Sequence, residues 1–279
     1  MKRLLISGSI FLLLTAIVCA QDISVLTYNL RYDTEADGEN RWENRKDFLI
    51  SQLQFYKPDV FGTQEGLVHQ LQAIRDGLED YEYFGKGRDK GDDEGEFSAV
   101  FYNKGAVNLL SEHTFWLSET PEVPSKGWDA ALNRVCTYGL FESRKDGRKF
   151  YLFNTHLDHM GETARKESVR LLLDKIATIN TAQLPVILMG DFNLEPDHES
   201  IQALSAEMQD AHSLAGPLVF GPAGTFNSFV VTEPATRRID YLFLSPSDFG
   251  LRRYGILTAT IEGRLPSDHF PVYAELTFK

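Results

Sequence analysis

The amino-acid sequence predicts a single α/β domain in which sheets and helices form a sandwich. Short runs rich in Val, Ile, Phe, Tyr and Leu recur along the chain, and many are bounded by Gly, Asn, Asp or Pro, as strands commonly are. Longer segments show the periodicity of amphipathic helices. Helices come early and hairpin-like strand pairs come later, an order that argues for a sandwich and against a simple doubly wound sheet.

These patterns place the individual elements in chain order. Strands are predicted at residues 23–29, 60–62, 98–102, 136–142, 150–154, 186–189, 239–244 and 271–278. Helices are predicted at 40–56, 66–78 and 161–180, each with an apolar stripe. The segment 85–96, with four glycines and mixed charge, predicts a solvated hairpin loop, with a mobile flap beside a site as the alternative. No repeat or linker divides the chain, so residues 21–279 are expected to form one domain.

Residues 1–20 are predicted to be a signal peptide. Lys2 and Arg3 precede an apolar run that ends in Val-Cys-Ala, the kind of small residues that a signal peptidase recognises. Gln21 would then begin the mature chain. Cys19 leaves a lipoprotein anchor as an alternative, although the residues before it fit a lipidation site poorly. Nothing later in the sequence predicts a membrane span, so we expect an exported protein, periplasmic or secreted.

Charge and cysteine content narrow the class of protein. Without the leader the chain has 26 basic and 40 acidic residues, a net charge of −14. A surface of this sign repels polyanions, so tight nucleic-acid binding is not favoured unless charge is locally segregated. A metal-dependent site tolerates the balance, because the cation supplies positive charge. Cys136 is then the only cysteine, which excludes an intrachain disulfide and is compatible with export in a domain of this size.

The sequence Gly-Asp-Phe-Asn at 190–193 follows the predicted strand 186–189. Alternate residues of an extended chain point to one side, so Asp191 and Asn193 are expected to converge on one small object. A carboxylate and an amide suit a hard cation, a water molecule or a phosphate oxygen. The alternative is a simple turn, because Asp and Asn also bond to their own backbone.

Other predicted strands begin or end in polar residues of the same kind. The set comprises Asn29, Glu65, the triplet His156, Asp158 and His159, then Asp240, and finally the pair Asp268 and His269. The position of Glu65 before a predicted helix has an alternative explanation, since an acid there is favoured by the helix dipole. A proton-transferring His needs a carboxylate partner. Neighbouring residues of an extended chain face opposite ways, so Asp240 is a better partner for His269 than Asp268 is.

Six short motifs in one order resemble the endonuclease/exonuclease/phosphatase superfamily. They are Asn29 in Thr-Tyr-Asn, Glu65 in Gln-Glu, His156 in Asn-Thr-His, Gly-Asp-Phe-Asn at 190–193, Ile-Asp-Tyr at 239–241 and Ser-Asp-His at 267–269. The resemblance covers nearly the whole mature chain. Residues 115–121, followed by Trp128 and Arg134, further resemble an exported bacterial subgroup of that superfamily.

The resemblance implies a four-layer α/β/β/α sandwich with two packed mixed β-sheets flanked by helices. It also implies Mg²⁺-dependent cleavage of a phosphoester by water, with Mn²⁺ as a possible substitute. Glu65 would be the main metal ligand and Asn29 would lie nearby, as a ligand or behind one. Asp268 is expected at the metal or beside the neighbouring His.

The remaining motif residues would act on water and phosphate. By the resemblance, Asp191 and Asn193 position and activate the attacking water or contact the phosphate. His156 and His269 would stabilise charge on the phosphoryl oxygens, and Asp240 would support His269. Whether an Asp or a His is the formal base is left open.

Further polar residues are weaker candidates. Arg134 either touches a phosphate or forms a surface ion pair, and at most one of Asp158 and His159 is expected at a substrate rim. Arg41 and Arg45 are predicted to pair with acids on a solvated helix face, with an anion clamp as the alternative. Four histidines are predicted to be structural or on the surface: His69, His113, His198 and His212. Trp116 and Trp128 are predicted to be buried, with a rim for a sugar, base or lipid as the alternative.

The leading hypothesis is an exported Mg²⁺-dependent phosphoesterase acting on a small or lipid-linked phosphoester, either a monoester or a diester. A low-specificity secreted nuclease of the same fold is the first alternative, since nucleic acid remains a possible partner if the active face is locally basic. A catalytically silent binding module is the second alternative. The intact set of polar motifs argues against it.

Overall fold

A computed structural model describes residues 22–279. The predicted leader at 1–20, with Cys19, lies outside the described residues. Within 22–279, no helix is both long and apolar enough to cross a membrane.

Seven strands form the first sheet, which carries the N- and C-terminal strands at its centre. Their spatial order is β10 (Val219–Phe220), β12 (Phe249–Ile256), β13 (Val272–Phe278), β1 (Asp22–Asn29), β2 (Val60–Gln64), β4 (Val100–Asn103) and β3 (Tyr81–Phe84). β1 and β2 are parallel, whereas β13 pairs with β1 antiparallel. The sheet is therefore mixed.

Six strands form the second sheet, which repeats this arrangement. Their spatial order is β5 (Val107–Trp116), β6 (Val135–Ser143), β7 (Lys149–His156), β8 (Val186–Asp191), β11 (Asp240–Leu244) and β9 (Gln209–Asp210). β7 and β8 are parallel, and β11 pairs with β8 antiparallel. Each sheet thus has a central strand with one parallel and one antiparallel neighbour.

Side chains of the central strands are buried on both faces of their sheets, so the core has three layers, one between the sheets and one beneath each outer layer of helices. Val25 of β1 packs with Met189 of β8 between the sheets, whereas Leu26 packs outward. The helices are α1 (Trp42–Tyr56), α2 (Val68–Gly77), α3 (Glu162–Ile179), α4 (Glu199–Glu207) and α5 (Ala211–Ala215). Residues of α1 and α2 cover the outer face of the first sheet, and residues of α3 and α4 cover that of the second. The predicted α/β/β/α sandwich is confirmed.

The predicted helices and strands are all present, with bounds that differ by a few residues. The predicted strands end too early at 62, 154 and 189, because their last residues are polar. In the structure β2, β7 and β8 continue to Gln64, His156 and Asp191. The polar residues are therefore held by the ladders themselves. Strands β3, β5 and β12 were not predicted, since their exposed polar residues interrupt the apolar pattern.

Candidate active site

Strand register brings three ionisable side chains to one edge of the second sheet. In the parallel pair β7 and β8, His156 lies opposite Asp191. In the antiparallel pair β8 and β11, Asp240 lies opposite Asp191 on its other side. Paired residues of adjacent strands present their side chains on the same face, about 5 Å apart. We call His156, Asp191 and Asp240 the strand-borne group.

Gly190 permits the close approach of the two strands that carry this group. Its φ of 147° lies outside the range that side-chain-bearing residues readily adopt, and an added Cβ would lie 2.0 Å from the carbonyl oxygen of Thr155. No other residue fits without moving β8 away from β7. The glycine of Gly-Asp-Phe-Asn therefore sets the distance between the next pair of the ladder, His156 and Asp191.

His269 is held against the strand-borne group by Asp240. Its Nδ1 lies 2.9 Å from Asp240 Oδ2, and its Nε2 lies 3.8 Å from Asp191 Oδ2. Burial alone would lower the pKa of His269, but the carboxylates of Asp240 and Asp191 raise it well above its usual value. The sequence-predicted contact of His269 with Asp240 is present. It fixes the ring and leaves Nε2 facing Asp191.

His156 is in the opposite electrostatic state. Burial lowers its pKa well below the usual value, and the charges of Arg134 and Arg88 lower it further. The neutral ring lies with Nε2 3.0 Å from Asn193 Nδ2, from which it can accept a hydrogen bond. The pKa values of the two imidazoles are therefore shifted in opposite directions, and both rings lie beside Asp191, with Nε2 at 3.6 Å for His156 and 3.8 Å for His269.

Asp191 and Asn193 converge through a turn and not through strand alternation. β8 ends at Asp191, and Asn193 has a left-handed backbone with φ of 52°. The Asn193 N–H donates to Asp191 Oδ1 at 2.9 Å, while its side chain donates to the Leu157 carbonyl at 3.0 Å. The predicted turn is confirmed, and the strand alternation given as the reason for convergence is wrong, because the strand ends at Asp191. That the two side chains act on one ligand stays a prediction.

Loops bring three more polar side chains to the same place. Glu65 follows β2 with a left-handed backbone, φ 61°, and Asp268 lies before β13. With Asn193 they form what we call the loop-borne group. The left-handed backbones of Glu65 and Asn193 store strain, which is common at functional sites.

Asn29, at the end of β1, links the two groups. Its Nδ2 donates to Asp191 Oδ2 at 2.9 Å and to Glu65 Oε1 at 3.1 Å. Its Oδ1 accepts from the Arg31 N–H at 3.0 Å. With this orientation the amide supports two carboxylates, which fits a place behind the metal ligands better than a ligand position. The Tyr32 N–H also donates to Glu65 at 3.2 Å, so Glu65 faces the site and does not serve the α2 dipole.

Arg45 of α1 ties the loop after β1 to the loop that carries Asp268. The side chain is 3% exposed, and it donates to the carbonyl oxygens of Pro266 at 2.9 Å, Arg31 at 2.6 Å and Asn40 at 2.8 Å, as well as to that of Leu30. Both predictions for Arg45 are wrong, since it is neither solvated nor free to bind an anion. α1 lies against these loops, and their carbonyl oxygens accept the hydrogen bonds of the Arg45 guanidinium.

A cleft of about 630 Å³ opens above these residues. Its walls include Tyr32, Leu132 and Phe226, and four arginines, Arg31, Arg88, Arg134 and Arg237. A groove of about 710 Å³ beside α3 and α4 is larger but contains no comparable cluster of His and acid. The chemistry therefore lies in the smaller cleft.

Several residues of the cleft were not predicted from the sequence, and Arg88 and Glu96 are the two that lie beside the site chemistry. Arg88 and Glu96 lie in the segment 85–96, and Arg88 is 8% exposed. The guanidinium donates to both oxygens of Glu96, at 2.8 and 2.6 Å. The predicted solvated loop is thus only partly correct, because this part of it forms a wall of the cleft. A buried Arg–Glu pair eight residues apart leaves no periodic signal.

The weaker candidates separate clearly. Arg134 and His159 line the cleft, whereas Asp158 is buried below them and accepts hydrogen bonds from the backbone N–H groups of Ala131, Met160 and Gly161. Trp116 is buried, as predicted, with its ring N–H donated to the Arg88 carbonyl. Outside the cleft lining lie Trp128, His69, His113, His198 and His212.

The clustered carboxylates fit a hard cation. Burial and the charge of Asp240 raise the pKa of Asp191 to about 7. Burial also raises the pKa of Asp268, and Glu65 adds to that shift. Among the described residues, Asp191, Asp240 and His269 offer ligand atoms within 4.8 Å of one another, and one buried oxygen of Asp240 has no hydrogen-bond partner there. Oxygen donors of this type suit Mg²⁺.

Fold and site together define a hydrolytic enzyme of the α/β/β/α sandwich class. Residues 26–269 match the Endonuclease/Exonuclease/phosphatase family. The chain belongs to that family, whose members are phosphoester hydrolases that depend on divalent metal ions.

Two solved structures from Bacteroides thetaiotaomicron are similar over almost the full length. One is the mannosyl-6-phosphatase of strain VPI-5482, with 40% identity and a TM-score of 0.87, covering 92% of this chain and 100% of that one. The other is an endonuclease/exonuclease/phosphatase family protein, with 39% identity and a TM-score of 0.88, covering 93% and 99%.

A more distant relative is mouse nocturnin. It is 25% identical over 275 residues, which is 89% of this chain and 63% of nocturnin. The chain thus spans less than two thirds of the length of this relative.

Proposed function

We propose that this chain is an exported Mg²⁺-dependent hydrolase of a small phosphoester, with a phosphorylated sugar as the first candidate substrate. One observation carries the proposal: a buried His–Asp cluster lies at the floor of a 630 Å³ cleft. A cleft of that size suits a small molecule. The similarity to a mannosyl-6-phosphatase at 40% identity supports the sugar.

Glu65 and Asp268 would hold the cation, with Asn29 behind them. Both side chains provide hard oxygen donors. Glu65 is held by Asn29 and by the Tyr32 N–H, and the loop of Asp268 is tied down by Arg45 and by the Ser267 hydroxyl, which donates to the Asn29 carbonyl at 2.6 Å. When bound, Mg²⁺ would neutralise phosphoryl charge as a Lewis acid. The negative net charge of the protein does not prevent binding of an anionic phosphate, because the phosphate would contact the bound cation.

Asp191 and Asn193 would hold the attacking water. A carboxyl group whose pKa is about 7 can take a proton at neutral pH. Its Oδ2 also accepts from Asn29, which limits its freedom to turn. Asn193, tied to Asp191 and to Leu157, would present its amide from a fixed turn. The pair would place the water on the phosphorus from one direction.

The two imidazoles would stabilise charge on the phosphoryl oxygens. Cationic His269 would donate from Nε2, since Asp240 accepts from its Nδ1. Neutral His156 would orient Asn193, and one of its ring nitrogens would lie beside the phosphate. Donors aimed at developing charge in a buried site are the largest contribution to catalysis of this type.

Export is part of the proposal. The basic residues and apolar run of 1–20 support a cleaved leader, and the buried thiol of Cys136 needs no partner in an oxidising compartment. An alternative substrate is nucleic acid. Four arginines line the cleft, but four acids line it as well, so the nocturnin similarity at 25% identity is the main support for this alternative.

A substrate profile tests the proposed function. Pure protein with Mg²⁺ would be assayed on sugar phosphates, inositol phosphates, sphingomyelin, plasmid DNA and RNA. We expect turnover of a sugar phosphate, abolished by EDTA and by Asp191→Ala at unchanged melting temperature. Dominant nuclease activity that Asp191→Ala removes would favour the alternative. If neither Mg²⁺ nor Mn²⁺ supports any hydrolysis or raises the melting temperature, a binding module is the correct description.

A further inference from the structure

Arg134, just before β6, reaches the cleft wall with one donor unused. The side chain is only 4% exposed. Its Nε lies 3.4 Å from Asp158 Oδ2 and its Nη2 lies 3.0 Å from His159 Nδ1. Nη1 is buried and has no hydrogen-bond partner among the described residues. A buried donor without a partner costs free energy, so this N–H points to a ligand.

The charge of Arg134 is only partly neutralised. The oxygens of Asp158 already accept from backbone N–H groups, including that of Gly161 at 2.8 Å, and the distance to Arg134 is long. Arg88 lies beside it with its own charge committed to Glu96. Both arginines are close enough to lower the pKa of His156. Positive charge therefore remains next to the predicted phosphate position.

A small recess lies between these residues. Arg88, Glu96, Arg134 and His156 line it, and the same four residues line the main cleft. Its volume is about 10 Å³, which is about one water-sized sphere. An oxygen atom fits there, whereas a carbon substituent does not.

We propose that this recess receives one terminal oxygen of a phosphate group and that Arg134 donates to it from Nη1, so that the site selects phosphomonoesters over phosphodiesters. A monoester has three non-bridging oxygens and two negative charges near neutral pH. A diester has two such oxygens and one charge. With those two oxygens on the cation and on His269, its second substituent would have to enter the recess. The inference rests on the proposed function and adds the substrate class.

The test compares two chromogenic substrates with Mg²⁺, p-nitrophenyl phosphate and bis(p-nitrophenyl) phosphate. We expect the wild-type protein to prefer the monoester in kcat/KM, and Arg134→Met to lower that value by about 10²-fold while changing diester hydrolysis by less than about threefold. Arg134→Lys keeps the charge, so its kcat/KM for the monoester should lie between the values of the wild type and of Arg134→Met. Arg75→Met, on the exposed face of α2, is the matched control and should change neither rate.

A second readout does not depend on turnover of a monoester. Inorganic phosphate should inhibit the wild type competitively and inhibit Arg134→Met about tenfold less well, whereas dimethyl phosphate should not distinguish them. If circular dichroism shows that Arg134→Met does not fold, the same measurements on Arg134→Lys replace it in the comparison with the wild type. Equal loss on both substrates, or a wild type that prefers the diester, overturns the inference and leaves the proposed function standing. Absence of all hydrolysis contradicts the proposed function instead.

Discussion

The strand-borne and loop-borne groups reach the same cleft by different structural means. His156, Asp191 and Asp240 lie in regular strands, and the ladder of the second sheet fixes their spacing. Glu65 and Asn193 lie just past strands with φ of 61° and 52°, so strained turns place them. Ladder hydrogen bonds hold the first group whatever it binds. The second group depends on tertiary contacts such as those of Arg45, which makes it the part of the site that a distant substitution can displace.

Within the strand-borne group, Asp191→Asn should cause the largest loss of activity. The variant keeps the shape of the side chain but cannot take a proton, so kcat should fall by about 10³-fold or more. Removing a buried charge removes its desolvation cost, but both carboxylate oxygens accept hydrogen bonds, from Asn29 and Asn193, and the new NH2 group meets one of these donors. The melting temperature of the metal-free protein should therefore fall only slightly. Asp174→Asn, on α3, is the control. A marked drop in melting temperature would mean that Asp191 is mainly structural.

Glu65→Gln should separate the two groups through their response to metal. We expect kcat/KM to fall about 10²–10³-fold and the rise in melting temperature with Mg²⁺ to disappear, since binding to the folded state is the source of that rise. Asp191→Asn should keep most of the Mg²⁺ effect. If Glu65→Gln still responds like the wild type, the ion lies with Asp191, Asp240 and His269 and not with the loop-borne group.

Arg45→Met tests whether loop position depends on α1. The substitution leaves the carbonyl oxygens of Leu30, Arg31 and Pro266 without their donor, so we expect a loss of about 2–4 kcal/mol in the free energy of unfolding. Activity should fall about tenfold or more, with a higher Mg²⁺ requirement, although Arg45 touches neither water nor phosphate. Lys46→Met, exposed on the same helix, should change neither. Lost stability with an unchanged Mg²⁺ requirement would confine Arg45 to the fold.

Asp158→Asn should have the smallest effect, and one that depends on pH. Burial would raise the pKa of Asp158, but backbone N–H groups and Arg134 hold it below its usual range. Its contribution to stability is therefore present above the unfolded pKa near 3.9 and lost as pH falls through the folded value. Urea unfolding should show a cost of about 2 kcal/mol at pH 7 that narrows below pH ~4. Asp146→Asn, on an exposed hairpin, provides the control, and a cost that does not vary with pH contradicts the ion-pair explanation.

The sequence predicted the strand-borne group well, because its signal is local. An apolar run followed by polar residues identifies a strand end, and the parallel pairing of such strands brings the ends together. The partnership of Asp240 with His269 followed from the opposite facing of neighbouring residues. What it did not predict was that the polar residues belong to the strands.

Residues whose function depends on distant backbone atoms were not predictable in this way. Arg45 sits among Glu43, Lys46 and Asp47, so the helix pattern indicates a solvated face. Only the fold shows that the loops at 30–31 and 266 end against it. Arg88 and Glu96 lie in a glycine-rich segment with no periodicity, so the sequence gives no sign of their ion pair. Only the fold places this pair beside Arg134 in the cleft. In the loop-borne group, the roles of Glu65 and Asp268 came from family resemblance, whereas Asn193 was predicted from a strand alternation that the structure replaces with a turn.

The bonds from Arg45 to Pro266 and from Ser267 to Asn29 also bear on how the protein matures. They join positions 221 and 238 residues apart in the chain, and β1 has its antiparallel partner only in β13. Contacts of such long range close late in folding. During synthesis, Asn29 and Arg45 have no access to their partners Ser267 and Pro266 until nearly the whole chain has been made. A chain truncated before residue 266 would lack Asp268, His269 and the strand that pairs with β1, so hydrolytic activity would begin only after these residues have been synthesised and packed.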